Sequence, residues 1–142
     1  MSFHSQEVVK DIVELFGSKN IRLTPQRIGV YRYLLENRNH PTVDTVYHFL
    51  KSDNPSLSKT TIYNTVDTLA EAGLLRMLRA SEGEVRLDAV MECHGHFICD
   101  VCGKIIDFTL DGCRLPDMLN QFEVHDYEVR AFGACALCSK QQ

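Results

Sequence analysis

Cys99-x-x-Cys102 and Cys135-x-x-Cys138 restrict this 142-residue chain more than any other feature. Two residues between cysteines is the knuckle spacing that lets both sulfurs reach one ion, each about 2.3 Å away. Two such pairs make a four-thiolate set, so the chain between them must fold back until the pairs meet. Thirty-two residues separate Cys102 from Cys135. That gap accommodates a strand at 104–110, a short helix at 115–122 and a strand at 128–133. The expected outcome is a structural zinc that staples the ends of a small sheet. A redox Cys-x-x-Cys is a rival reading, although it has no need of a second matching pair. Iron held by the four thiolates also satisfies the ligand type.

Setting those four thiols aside, Cys99 and Cys102 of them in ECHGHFICDVC (92–102), leaves His94, His96, Cys93 and Cys113. Positions i and i+2 of a strand share a face, so the two imidazoles point the same way, and Cys99, an odd number of positions away, tends to the other. One strand can therefore serve two centres. Two histidines with oxygen ligands make a harder site suited to Fe(II) or Mn(II). Asp88, Asp107 (between Ile106 and Phe108) and His40, at a helix-breaking His-Pro, are the candidates to complete it. Cys93 and Cys113 fit neither set and are expected to be small packing residues.

The chemistry changes near residue 88. Residues 1–85 carry ten Lys/Arg and ten Asp/Glu, whereas residues 86–142 carry five and nine, so the second part holds the whole net charge of −4. All six cysteines also lie there. We expect a first domain at 1–88, a hinge at about 86–92 and a second domain at 93–142. No apolar stretch approaches the roughly 18 residues of a membrane span. MSFHSQEVVKD lacks the basic-then-apolar layout of a signal peptide. A cytoplasmic location is expected, where cysteines are more often metal ligands or redox sensors than structural disulfides.

In the first domain, apolar residues at helical spacing mark a helix over 5–19. Thr24-Pro25, Thr42 and Ser58 read as caps of three more helices, with breaks at His40-Pro41 and Asn54-Pro55. Gly73 ends the fourth. LLRMLRA and EVRLDAV then flank Ser81-Glu82-Gly83, a hairpin turn signal. Short helices followed by a hairpin are the layout of a winged helix-turn-helix, whose last helix enters the major groove of DNA. Lys59, Thr60, Thr61, Tyr63 and Asn64 would then read bases and phosphates, with Arg22 and Arg27 holding phosphates nearby. A solvated, protein-binding helical module is the alternative, because this part has no net positive charge.

LTPQR (23–27), HPT (40–42), TTIYNTVDTLAEAGLL (60–75), RLD (86–88), CHGHFICDVCGKIIDF (93–108) and the closing CALC together resemble the ferric uptake regulator (Fur) superfamily. The resemblance runs over almost the whole chain. It implies an α+β protein, with an N-terminal winged helix-turn-helix domain and a small α+β dimerisation domain around a four-cysteine zinc. It further implies a homodimer on a palindromic double-stranded operator. The ligand set most resembles the peroxide-sensing branch (PerR), whose three histidines and two aspartates match His40, Asp88, His94, His96 and Asp107. That branch implies Fe(II) or Mn(II) at this site. It implies peroxide sensing by oxidation of His40 or His94 in the Fe(II) form, and a peroxide-insensitive Mn(II) form. Such sensing is single-use damage rather than turnover, so no enzyme is expected.

Iron-responsive members of the family tend to carry glutamate at the positions of Asp88 and Asp107, and often His-Asp-His where this chain has His94-Gly95-His96. His125 could still match a ligand of their arrangement, which keeps iron sensing as the runner-up, and an iron- or zinc-responsive repressor of metal uptake is the alternative function. A zinc-stabilised thiol redox protein is the weaker one.

Overall fold

In the computed structural model of the chain, residues 3–80 and 83–140 are described, so Ser81 and Glu82 of the hairpin signal lie outside the described residues. The chain divides into two compact units. One holds the residues up to Arg79 together with Glu84–Met91, and the other holds Ala80, Gly83 and the chain from Glu92 onward.

The first unit is built from capped helices around one apolar core. α1 (Phe3–Ser18) contributes Ile12 and Phe16. α2 (Pro25–Glu36) starts where the Thr24 hydroxyl accepts the Arg27 N–H at 3.2 Å, with Pro25 at the first position, where no N–H is needed. α3 (Val43–Lys51) is capped by Thr42, and α4 (Lys59–Glu71) by Ser58. Gly73, at φ +74°, ends α4 in the left-handed region that glycine enters without a Cβ penalty. Strands β1 (Arg76–Arg79) and β2 (Val85–Asp88) pair antiparallel, Arg76 opposite Asp88. Ile12, Phe16, Val30, Val46, Ile62 and Leu69 are essentially inaccessible to solvent. Each contributes about 1.5–3 kcal/mol of burial, so this unit holds itself together by its core.

The second unit cannot do the same. β3 (His94–Cys99) lies between β4 (Ile105–Thr109), antiparallel, and β5 (Arg130–Gly133), parallel. Among its described residues the fully buried apolar side chains are Ile98 and Cys99, whereas Met118, Phe122, Phe132 and Leu137 are exposed. A sheet with so little core depends on something else, either a metal or a partner surface.

Two expectations for this unit are corrected. The helix expected at 115–122 is only a 3₁₀ turn, Asp117–Leu119, which has no side-chain cap and no buried residue to hold a longer helix. Cys93 and Cys113 are not separate packing residues but are joined as a disulfide, with Cα atoms 5.8 Å apart. A short helix, α5 (Ala136–Ser139), carries Cys138 and was not foreseen.

Gly95 lies opposite Phe108 across the β3–β4 pair, and a Cβ there would clash with the edge of the Phe108 ring. Gly95→Ala should therefore swing that ring off the sheet and cost about 1–3 kcal/mol. Thermal unfolding of the zinc-loaded protein checks this, and an unchanged midpoint would contradict the packing described.

Among the described residues, no helix is long and apolar enough to cross a membrane.

Candidate functional site

The Sγ atoms of Cys99, Cys102, Cys135 and Cys138 all lie within 4.8 Å of one another. Four sulfurs about 2.3 Å from a tetrahedral zinc sit about 3.8 Å apart, and Cys102 and Cys135 are 3.9 Å apart. The donor set therefore fits zinc. Cys99 ends β3, and Cys135 and Cys138 flank the first turn of α5, so the sheet brings the knuckles together. The Cys135 N–H donates to Cys99 Sγ at 3.3 Å. Backbone N–H groups of Cys102, then of Cys135, pull the Cys99 thiol down to about 6. Hydrogen bonding to Cys135, with burial, pushes the Cys138 thiol up to about 12. A cation that takes all four sulfurs as thiolates removes this competition between Cys99 and Cys138.

On the opposite side of β3, the imidazoles of His94 and His96 stand side by side, with Nε2 atoms 2.9 Å apart. The Glu92 carbonyl lies 2.6 Å from His94 Nδ1 and can only accept, so Nδ1 carries the proton and Nε2 presents its lone pair. Register places Asp107 directly opposite His96, and its Oδ1 lies 3.4 Å from His96 Nε2 and 3.8 Å from His94 Nε2. The His96 N–H donates to the Val129 carbonyl at 3.0 Å, which fixes the strand that carries the ring. His96 itself is 1% exposed. Two nitrogens and an oxygen converging at these separations suit one face of a hard divalent cation.

Within the first unit, His40 and Asp88 form a pair. His40 Nε2 lies 3.8 Å from Asp88 Oδ2, and both side chains are buried. Asp88 Oδ1 accepts the Val90 N–H at 2.8 Å, which leaves Oδ2 turned toward the imidazole. His40 adopts φ +50°, a left-handed conformation that few non-glycine residues take. Strand β2 holds it there: Arg86 Nη1 donates to the His40 carbonyl at 3.1 Å, and the Leu87 N–H donates to the Pro41 carbonyl at 2.9 Å. Backbone strain of this kind persists where the surroundings over-determine it, and it concentrates at functional sites. Sequence reasoning missed Arg86, because a hydrogen bond to a carbonyl 46 residues away leaves no local signal.

Along α4, Lys59, Thr60, Tyr63 and Asn64 are exposed, Tyr63 to 50%, while Ile62, Thr65, Val66 and Leu69 are buried. Thr61 is half-buried, and its hydroxyl is engaged with that of Ser58 at 2.8 Å. Arg22 is exposed, and its carbonyl accepts from Arg27 Nη1 at 3.0 Å, so Arg27 braces the entry to α2. Lys59 Nζ pairs with Asp44 at 2.7 Å, a partner the sequence did not announce. That hydrogen bond holds the Asp44 carboxyl below its usual range and Lys59 above its own. If α4 meets DNA, Asp44 competes with phosphate for Lys59. Asp44→Asn should then strengthen DNA binding and steepen its salt dependence by about one unit of log–log slope. Fluorescence anisotropy against ionic strength reads this, and an unchanged slope counts against Lys59 as a phosphate contact.

A winged-helix unit, joined to a sheet unit that gathers four thiolates and a separate imidazole–carboxylate set, makes a two-unit metalloprotein. The sequence profile of the ferric uptake regulator family matches residues 18–131. The peroxide operon regulator of Bacillus subtilis (strain 168) is 33% identical over 138 residues, covering 94% of this chain and 95% of that protein. Among solved structures, the Helicobacter pylori ferric uptake regulator superposes with a TM-score of 0.72 at 20% identity, covering 94% of this chain and 93% of that one. The Campylobacter jejuni peroxide stress regulator does so with a TM-score of 0.66 at 25% identity, covering 94% and 96%. The chain belongs to the ferric uptake regulator family.

Proposed function

We propose that this protein is a metal-dependent, peroxide-responsive transcriptional repressor. Residues 1–88 form its DNA-binding domain, residues 86–92 its hinge and residues 93–142 its dimerisation domain. Lys59, Thr60, Thr61, Tyr63 and Asn64 meet a palindromic operator, with Arg22 and Arg27 beside them. Cys99, Cys102, Cys135 and Cys138 hold a permanent zinc. His40, Asp88, His94, His96 and Asp107 hold a replaceable Fe(II) or Mn(II).

One observation carries the reading: each unit holds an incomplete donor set. His40 and Asp88 in the first, and His94, His96 and Asp107 in the second, each fall short of the coordination Fe(II) or Mn(II) takes. Five donors drawn from both units couple ligation to domain orientation, and so to the spacing of two α4 helices over two half-sites. The DNA-competent state has the higher metal affinity and gains population when the donors are ligated. The Bacillus subtilis relative, a peroxide operon regulator, supports the peroxide branch.

Fe(II), when bound, would activate peroxide beside an imidazole, which itself gives up the two electrons. His40 or His94 ends with one added oxygen atom, peroxide leaves the other as water, and the oxidised ring is a poorer donor. Ligation then fails and DNA is released. Mn(II) lacks that ready chemistry, so its complex keeps DNA under peroxide. The alternative, an iron- or zinc-responsive repressor of metal uptake, has DNA binding follow metal supply and ignore peroxide.

Selection from a random duplex library by the zinc-loaded chain, with Mn(II) and with chelator, tests the reading. Enrichment of one palindrome with Mn(II) alone is expected. Equal enrichment without the metal would overturn metal dependence, and no enrichment in either case would overturn DNA reading.

A further inference from the structure

Cys93 and Cys113 belong to neither metal set, yet the fold joins them. Their Cα separation of 5.8 Å lies in the range a disulfide spans without backbone movement. Cys93 directly precedes His94, the first residue of β3, and Cys113 stands four residues beyond Thr109, the last of β4. The link therefore closes a loop around the whole β3–β4 hairpin, which carries His94, His96 and Asp107. Tyr127, just before β5, places its hydroxyl 2.8 Å from Cys93 Sγ. A disulfide sulfur can only accept, so the hydroxyl donates and keeps Cys93 turned toward Cys113. Cys113 is exposed, and it lines a cleft of about 300 Å³ together with Leu110, Leu115, Pro116 and Tyr127. The other four thiols are gathered for a metal that keeps them as thiolates. In the reducing compartment such a site needs, a disulfide is characteristically transient and redox-sensing.

We propose that Cys93 and Cys113 form a reversible thiol–disulfide site, oxidised by peroxide without iron, that pins the His94 end of the metal-binding hairpin. The exposed Cys113 thiolate attacks one peroxide oxygen. The O–O bond breaks, Cys113 becomes a sulfenic acid, and the second oxygen leaves as water with the thiol proton. Cys93, held by Tyr127, attacks the sulfenic sulfur, the S–S bond forms and a second water leaves. Two electrons pass from the thiol pair to one peroxide, and a dithiol reductant reverses the change. The oxidised hairpin presents its donors pre-organised, so it binds metal more tightly than the reduced one. That last effect rests on the proposed donor set, whereas the link itself does not.

The full-length, zinc-loaded chain, reduced and then treated with peroxide in the absence of iron, tests this by alkylation and peptide mass spectrometry. Cys93 and Cys113 should return as one linked pair, lighter by two hydrogens, with the four knuckle cysteines unlinked. Cys113→Ser, at an exposed position, should leave Cys93 open to alkylation in a folded protein. Alkylation of both sulfurs after peroxide, or a link from Cys113 to a second chain, would overturn the proposal. Mn(II) titration of the linked and reduced forms should give a dissociation constant several-fold lower for the linked form, and equal constants would overturn the coupling. A link that forms while neither form binds Mn(II) would count against the donor set and spare the thiol pair.

Discussion

Cys99→Ser should strip the protein of zinc and unfold its second unit. The reason lies in the shortage of core there: Ile98 and Cys99 are the fully buried apolar side chains among its described residues. A structural zinc on thiolates contributes on the order of 10–16 kcal/mol at neutral pH, as much as the whole stability of an ordinary domain. No rearrangement of exposed Phe122 or Phe132 replaces that. The first unit owes its stability to Phe16, Ile62 and their neighbours, so much of the helical circular dichroism should survive while zinc content and the proposed dimer are lost. Chelation of the unmodified protein should do the same. A Cys99→Ser protein that kept its fold and dimer but lost activity would favour the thiol redox reading instead.

His96→Ala should separate the two metals. Its ring is buried, with Nε2 2.9 Å from that of His94 and 3.4 Å from Asp107 Oδ1. Loss of outer-shell partners alone weakens metal binding 10–100-fold, so loss of this donor should weaken Mn(II) by at least about 100-fold. Zinc, held on the other side of β3, should stay at one per chain. Operator binding should then fail at Mn(II) concentrations that saturate the unmodified protein. His125→Ala is the control: its side chain is exposed beside Glu123, so Mn(II) binding should not change. Equal losses in both variants would favour the other family arrangement.

What could be read in the sequence was whatever local chemistry enforces. Thr24, Thr42 and Ser58 mark helix starts because their hydroxyls satisfy N–H groups within three residues. Strand parity separates His94 and His96 from Cys99, because side chains alternate along β3. Gly95 looked informative for the carboxylate it lacks, and the packing adds that Phe108 occupies the space a side chain would need. What could not be read depends on distant partners. The pairing of Cys93 with Cys113 requires the hairpin register, and the only hint was that two thiols remained once the knuckles were assigned. The helix expected at 115–122 failed because apolar spacing does not supply a surface to bury against. Arg86 on the His40 carbonyl and Asp44 on Lys59 arise from contacts between elements.

In the proposed mechanism, peroxide is sensed by a histidine. The zinc-loaded protein, with Cys93 and Cys113 already oxidised so that they no longer compete, should be bound to its operator with Fe(II) or with Mn(II) and then exposed to peroxide. The histidine peptides are weighed as the DNA is released. Release of the Fe(II) form alone, with one oxygen atom gained at His40 or His94, is the predicted result. Release of DNA while both histidines keep their original mass would contradict it.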